Sequence, residues 1–167
     1  PGATNCVTPI RDCMADSIPI ILICGQVPRA AMGTDAFQEA PVYNIMSSCA
    51  KHTFLVLDPE ELEATIRSAF EIATSGRPGP VVIDVPKDVQ NYIGKFKGEG
   101  IVSFPGYRQR LNDLEQSDMC MDNAADFFRM LEESERPLIY AGGGMVNSKN
   151  PEILNEFADK LGIPAVT

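Results

Sequence analysis

Hydrophobic and polar positions along this chain switch between a helical and an extended period. Val7, Ile10, Met14 and Ile18 recur at helical spacing with Arg11, Asp12 and Asp16 between them, so residues 1–18 read as a loop and an amphipathic helix. Pro19-Ile20-Ile21-Leu22-Ile23 is continuously apolar, rich in β-branched residues and soon ended by Gly25, which predicts a buried parallel strand over residues 19–24. A second strand is expected over residues 50–57, where Phe54, Val56 and Leu57 are apolar. Asp58-Pro59-Glu60-Glu61 carries a capping Asp, a proline for the first helical position and acids for the first turn. Leu62, Ile66, Ala69, Phe70 and Ala73 then form one apolar face, and Ser75-Gly76 stops the helix. Residues 80–85 give a further apolar strand closed by Pro86. The order helix, strand, loop, strand, helix, strand is the pattern of an α/β fold, a parallel sheet flanked by helices.

Residues 91–118 show no sustained period and include Gly94, Gly98, Gly100, Pro105 and Gly106, so they read as an interdomain linker. A new pattern follows: helix 119–133, strand 137–141, a glycine loop, helix 151–161 and a strand from Ile163. The expected organisation is the end of one α/β domain in residues 1–90, a linker in 91–118 and the truncated start of a second domain in 119–167. The chain thus reads as a piece of a larger polypeptide.

Composition narrows the function classes. A net charge of −9 opposes nucleic acid and anionic membrane as partners. No apolar run approaches the roughly 18–20 residues of a membrane helix. The cysteines (Cys6, Cys13, Cys24, Cys49 and Cys120) are odd in number and form no C-x-x-C, so they read as buried thiols of a reducing compartment. With His52 as the single histidine, neither a Cys/His zinc site nor a Ser-His-Asp triad is expected, and His52 reads as structural.

The most site-like segment is Gly25-Gln26-Val27-Pro28 and, after four residues, Gly33-Thr34-Asp35-Ala36-Phe37-Gln38-Glu39. It follows the first apolar strand, where open α/β sheets place their ligands. With Pro1-Gly2-Ala3-Thr4-Asn5, Asp16-Ser17-Ile18-Pro19, Lys51-His52, Ser75-Gly76-Arg77-Pro78-Gly79-Pro80, Asp84-Val85-Pro86-Lys87-Asp88 and Ala141-Gly142-Gly143-Gly144, it resembles the acetohydroxyacid synthase (acetolactate synthase) large subunit, a thiamine-diphosphate-dependent carboligase. The resemblance implies part of a pyrimidine-binding domain followed by the start of a Rossmann-like central domain. It also implies an enzyme that decarboxylates pyruvate and joins the hydroxyethyl unit to a second 2-keto acid, pyruvate or 2-ketobutyrate, in branched-chain amino-acid biosynthesis.

By the same resemblance, Gln38 orients the reacting keto acid and Phe37 walls the pocket; an amide directs a carbonyl without adding charge, and a phenyl ring lowers the local dielectric. Pro28 and Ala36 match positions lining the access channel where herbicides bind, and Lys51 and Lys87 would draw an anionic acid into it. The plain alternatives are a surface helix start with Asp35 capping and Phe37 buried, and two solvated lysines. Ser17, Arg77, Gly142, Gly143, Gly144 and Asn147 are implied contacts of a bound FAD. Arg77 can offer a fork to phosphate and the glycines a close backbone approach. A solvated arginine, a capping or buried serine and a tight turn are the plain alternatives, and G-x-G-x-x-G fails at Asn147.

Thiamine diphosphate, Mg²⁺ and FAD are the implied cofactors of the full-length parent. The glutamate that protonates the aminopyrimidine and the Asp and Asn that hold Mg²⁺ fall, in the family, upstream and downstream of the matched segment, so no metal ligands are expected here. The parent is expected to be a homodimer or tetramer, with a regulatory small subunit as a further partner, in the bacterial cytoplasm or an organellar stroma or matrix. The rival readings are an FAD-independent catabolic acetolactate synthase, another thiamine carboligase, or a non-catalytic nucleotide-binding or dimerisation module. The chain alone is expected to turn over no pyruvate and to hold FAD weakly or not at all. Isothermal titration with thiamine diphosphate and magnesium should show no tight binding; a submicromolar dissociation constant would overturn that expectation.

Overall fold

The structure, a computed structural model, describes residues 1–95, 102, 104–116, 121–148 and 150–167. Two compact units divide the chain, Pro1–Leu114 and Glu115–Thr167. The linker glycines Gly98 and Gly100, together with Met119 and Cys120, lie outside the described residues.

In the first unit the elements run α1 (Val7–Ala15), β1 (Ile21–Gln26), α2 (Val42–Ser47), β2 (His52–Leu55), α3 (Leu62–Thr74), β3 (Val81–Pro86), the single turn α4 (Lys87–Gln90) and α5 (Pro105–Gln116). The three strands form one parallel sheet in the order β1-β3-β2, with Ile21 opposite Val81 and His52 opposite the same residue from the other side. A parallel sheet needs both faces covered, and β3 has that, whereas β1, expected as a buried strand, is an edge strand that buries only Cys24 and Gln26 and leaves Ile23 exposed. On one face Val81, Ile83 and Val85 meet Ala69, Ile72 and Ala73 of α3. On the other, Val82 and Cys24 meet Ile10 of α1 and Val42 and Met46 of α2. All six residues of β3 are buried.

The expected parallel sheet flanked by helices is what the structure contains, with strand boundaries in the first unit shifted by one or two residues. Helix α1 stops at Ala15, so Ile18, expected on its apolar face, is exposed beyond the left-handed Ser17, and a 3-10 turn over Pro59–Glu61 precedes α3. The start of the third helical segment also follows expectation: the Asp58 carboxylate accepts the Glu60 N–H at 2.9 Å, with Pro59 beside it. Its far end stops at Gly76, whose φ of 56° suits glycine.

Several expectations need correction. Phe70 was expected on the apolar face of α3, yet it is 61% exposed and Ile72 is buried in its place. Each residue turns a helix by about 100°, so Phe70 points well away from the line through Ala69, Ile72 and Ala73. The expected linker contains helix α5, whose Tyr107, with Phe104 just before the helix, packs on the α3 side of the core. Arg108 grips Glu71 of α3 through Nε and Nη2 at 2.6 and 2.7 Å. Tyr107, Leu111 and Leu114 carry a helical spacing that the surrounding glycines obscure. The short helix α2 was not anticipated; only Val42 and Met46, one turn apart, mark it. Of the cysteines expected to be buried, Cys24 is, while Cys6, Cys13 and Cys49 are half-buried free thiols.

The second unit holds α6 (Met121–Glu133), β4 (Ile139–Tyr140), the single turn α7 (Gly143–Val146), α8 (Glu152–Leu161) and β5 (Ala165–Val166). Strands β4 and β5 pair in parallel, and Gly162 ends α8 in the left-handed conformation.

Ile83 lies at the centre of the first unit with no exposed surface. Ile83→Ala should lower unfolding free energy by about 2–5 kcal/mol in urea titrations, and a loss under about 1 kcal/mol would show that β3 is not the core strand.

Candidate active site

Strands β1 and β3 end side by side, with Gln26 opposite Pro86. Beyond these carboxyl ends lies a cleft of about 620 Å³. It is walled by the chain's first residues, by β1, by the loop that follows it and by Lys87. Four residues singled out from the sequence meet here: Pro28, Phe37, Gln38 and Lys87. Ala36 and Lys51 are not among the lining residues.

Apart from Ala40, which packs against the core, polar contacts hold the loop 27–40 in place. At its start, Asp88 of α4 accepts the Arg29 backbone N–H at 3.0 Å and the Arg29 Nε–H at 2.6 Å, while Arg29 Nη1 donates to the Leu57 carbonyl at 2.7 Å. The Arg29 backbone N–H and then its guanidinium hold the Asp88 carboxyl below its ordinary range. At the far end, the buried Gln26 donates through Nε2 to the Ala40 carbonyl at 2.9 Å and accepts the Val27 N–H at 2.9 Å. Between these anchors the chain enters the left-handed region three times, at Gly33 (φ 80°), Asp35 (φ 56°) and Gln38 (φ 64°). Non-glycine residues there cost on the order of 1–2 kcal/mol each, so the loop is over-determined by its hydrogen bonds. Glu39 supplies them: Oε1 accepts from the Gly33 N–H and Oε2 from the Ala36 N–H at 3.0 Å. The Gly33 amide first, then that of Ala36, pulls its carboxyl down. The alternative of a helix start with Phe37 buried does not hold, since Phe37 is 89% exposed.

Under the cleft the sheet carries a buried acid. Asp84 is 1% exposed, its Oδ2 accepts from Gln26 Nε2 at 3.1 Å, and its Oδ1 has no partner. Burial pushes this carboxyl up against the opposing pull of the Gln26 amide. Burial, Asp84 and Cys6 push the neighbouring Cys24 thiol up to about 11. Cys24 lines the cleft yet stays a neutral thiol near pH 7, unsuited to nucleophilic attack.

Other anticipated residues have different company. Lys51 donates through Nζ to the carbonyls of Ile72 and, at 2.6 Å, Ser75, so it caps the C-terminus of α3 instead of facing a channel. Arg77 donates through Nε to Ser17 Oγ at 2.9 Å and through Nη2 to the carbonyls of Met14 and Ala15 at 2.9 and 3.0 Å, closing the end of α1. Gly142, Gly143 and Gly144 sit at the end of β4 with open space where a Cβ would stand. Asn147 follows α7 and is exposed. His52 stacks edge-on against Phe54 with centroids 4.5 Å apart, and burial lowers its pKa. Among the described residues no three His, Cys, Asp or Glu side chains gather as a metal site. No helix among them is long and apolar enough to cross a membrane.

Sequence reasoning missed Gln26, Glu39, Arg29, Asp88 and Asp84 as shapers of the site. Strand alternation offered a signal for two of them, since Gln26 lies two residues beyond Cys24 on one face of β1, and Asp84 interrupts an apolar strand. The contacts of Glu39 reach back three and six residues through a non-repetitive loop and leave no periodic trace.

Comparison with known proteins places the chain in a class. Residues 1–48 match the thiamine pyrophosphate enzyme family's N-terminal TPP binding domain, and residues 124–167 match that family's central domain. Within that class the chain is a homologue of the acetolactate synthases along its whole length. It is 42% identical over 167 residues to the chloroplastic acetolactate synthase 3 of Brassica napus and 43% identical over 167 residues to the chloroplastic acetolactate synthase 2 of Nicotiana tabacum. It is 40% identical over 171 residues to the acetolactate synthase large subunit of Corynebacterium glutamicum. All of this chain is aligned in each case, against 25%, 24% and 26% of those proteins. The chain therefore spans about a quarter of the length of the curated relatives it matches.

Asp84 gives the site a pH signature. With its folded pKa raised, the unfolded chain ionises first as pH climbs, so stability falls from the ordinary carboxylate range upward and levels once the folded carboxyl has also ionised. Urea midpoints of Asp84→Asn minus wild type should therefore rise as pH climbs from about 4 upward. A difference independent of pH would mean that Asp84 is not a desolvated acid.

Proposed function

We propose that this chain supplies one wall of the active site of an acetolactate-forming thiamine-diphosphate enzyme, with residues 1–90 in its pyrimidine-binding domain and 119–167 in its central domain. The observation that carries this reading is the convergence of Pro28, Phe37, Gln38 and Lys87 on a single cleft at the carboxyl ends of β1 and β3, in a chain homologous throughout to acetolactate synthases. Substrates on this reading are pyruvate and a second 2-keto acid, pyruvate or 2-ketobutyrate.

The residues fit that work in part. The exposed ring of Phe37 with Val27 and Pro28 offers an apolar wall against a flat heterocycle, and it excludes water from a reacting carbonyl. Gln38, at the loop tip, offers a neutral amide N–H to the keto oxygen or the carboxylate of the bound acid. Lys87 brings a cationic side chain to the lining and raises the local concentration of the anionic substrate. Thiamine diphosphate, when bound, supplies the nucleophilic carbon and the electron sink for decarboxylation. Among the described residues the lining holds no carboxylate and no three metal-ligating side chains gather; by the resemblance, the acid that protonates the pyrimidine and the Mg²⁺ ligands belong to other segments of the parent.

FAD, Mg²⁺, a dimeric or tetrameric assembly and a regulatory small subunit rest on the resemblance. The residues named for FAD fit unevenly: Arg77 and Ser17 are engaged with each other and with α1, while Gly142, Gly143 and Gly144 are open. Ala36 would bear on a channel only through its neighbour Phe37, and Lys51, engaged with the end of α3, fits that role poorly. A bacterial cytoplasmic or an organellar site suits relatives that include chloroplastic and bacterial enzymes.

In the full-length polypeptide, Gln38→Ala should lower kcat/KM for acetolactate formation on the order of 10²-fold with the melting temperature unchanged. An unaltered rate would remove Gln38 from the reaction and this reading with it.

A further inference from the structure

The loop tip that carries Phe37 and Gln38 has almost nothing to lean on. Phe37 is 89% exposed, and Gln38 is exposed with φ at 64°. Packing therefore does not set the direction of either side chain. What closes the tip is a ring of hydrogen bonds between the residues on either side of it. The Glu39 N–H donates to the Ala36 carbonyl at 2.9 Å, and the Ala36 N–H donates back to Glu39 Oε2 at 3.0 Å. The second carboxylate oxygen, Oε1, accepts from the Gly33 N–H, which ties that ring to the start of the turn. One residue later, the Ala40 carbonyl is fixed to the sheet by Gln26 Nε2 at 2.9 Å.

We propose that Glu39 is the positioning residue that aims Phe37 and Gln38 into the cleft and thereby sets which 2-keto acid is accepted as the second substrate. The chemistry requires a carboxylate. Two converging N–H donors need two acceptor oxygens on one planar group, and charge-assisted bonds of this kind are shorter and stronger than neutral ones. A carboxamide of the same shape keeps one acceptor and turns an N–H₂ towards the other amide, so one bond is lost and a donor faces a donor. Glu39 lies outside the residues lining the cleft, so it acts through the loop and does not touch substrate. The half of this proposal that concerns substrate choice rests on the reading of Gln38 given above; the half that concerns the loop does not.

Three measurements test it. In the wild-type chain, the Gly33 and Ala36 amides should be protected in hydrogen–deuterium exchange; exchange at the rate of free amides overturns the proposal without any variant. In Glu39→Gln, exchange at those two amides should rise by about tenfold or more while β3 amides stay protected; unchanged exchange also overturns it. In the full-length polypeptide, Glu39→Gln should shift the ratio of acetolactate to acetohydroxybutyrate formed from mixed pyruvate and 2-ketobutyrate several-fold, with KM changing more than kcat. Glu39→Asp should not restore that ratio, since the shorter arm cannot reach both amides. Loosened amides with an unchanged product ratio overturn the specificity role. If Gln38→Ala is also fully active, the failure lies in the reading of Gln38; if Gln38→Ala is impaired, it lies with Glu39.

Discussion

Strand β3 is buried along its whole length, and its alternating residues belong to two different cores, Val81, Ile83 and Val85 to one and Val82 to the other. A slip of one residue would exchange the two sets and leave Asp84 facing α3, so the register is fixed strongly. That fixed register decides where Pro86 ends the strand and hence where Lys87 and Asp88 emerge. Asp88 in turn takes hold of Arg29 by backbone and side chain, which locates the loop leaving β1. The cleft is therefore a consequence of one strand's burial, carried outward by one ion pair.

Polar groups then do locally what the apolar core cannot. The Gln26 amide, buried in the sheet, ties the end of the loop to β3 and shares its N–H₂ between the Ala40 carbonyl and Asp84. This arrangement keeps an amide satisfied but leaves Asp84 with one orphaned oxygen, a cost that packing must offset. The same tension keeps Cys24 neutral. The cleft lining thus brings together the neutral Cys24 thiol, the Gln26 and Gln38 amides, apolar surface and Lys87, surroundings that suit a small anion.

How much was legible beforehand follows from the range of the forces involved. The strands and long helices of the first unit follow from periodicity, because burial acts on every second or every third-to-fourth residue. Position 70 misled because a large aromatic next to an apolar stripe looks like part of it until the helix is turned. Helix α5 was hidden by glycines on one side and by a polar composition on the other. The site residues divide in the same way. Pro28, Phe37, Gln38 and Lys87 were recoverable from resemblance and from their place after strand ends. The engagement of Lys51 with the end of α3, and of Arg77 with the end of α1, was not, because a helix's unpaired carbonyls attract any long cation within reach and sequence does not say which one arrives.

The order β1-β3-β2 leaves the outer sides of β1 and β2 without a neighbour in this sheet. On β1 the exposed side also carries Ile23, 62% accessible in mid-strand, with no lysine or proline between Ile21 and Gln26 to discourage annealing. Two molecules meeting along that border could zip their main chains together before any specific recognition occurs. The net charge of −9 opposes such encounters, so any pairing along that border should strengthen as salt screens the repulsion.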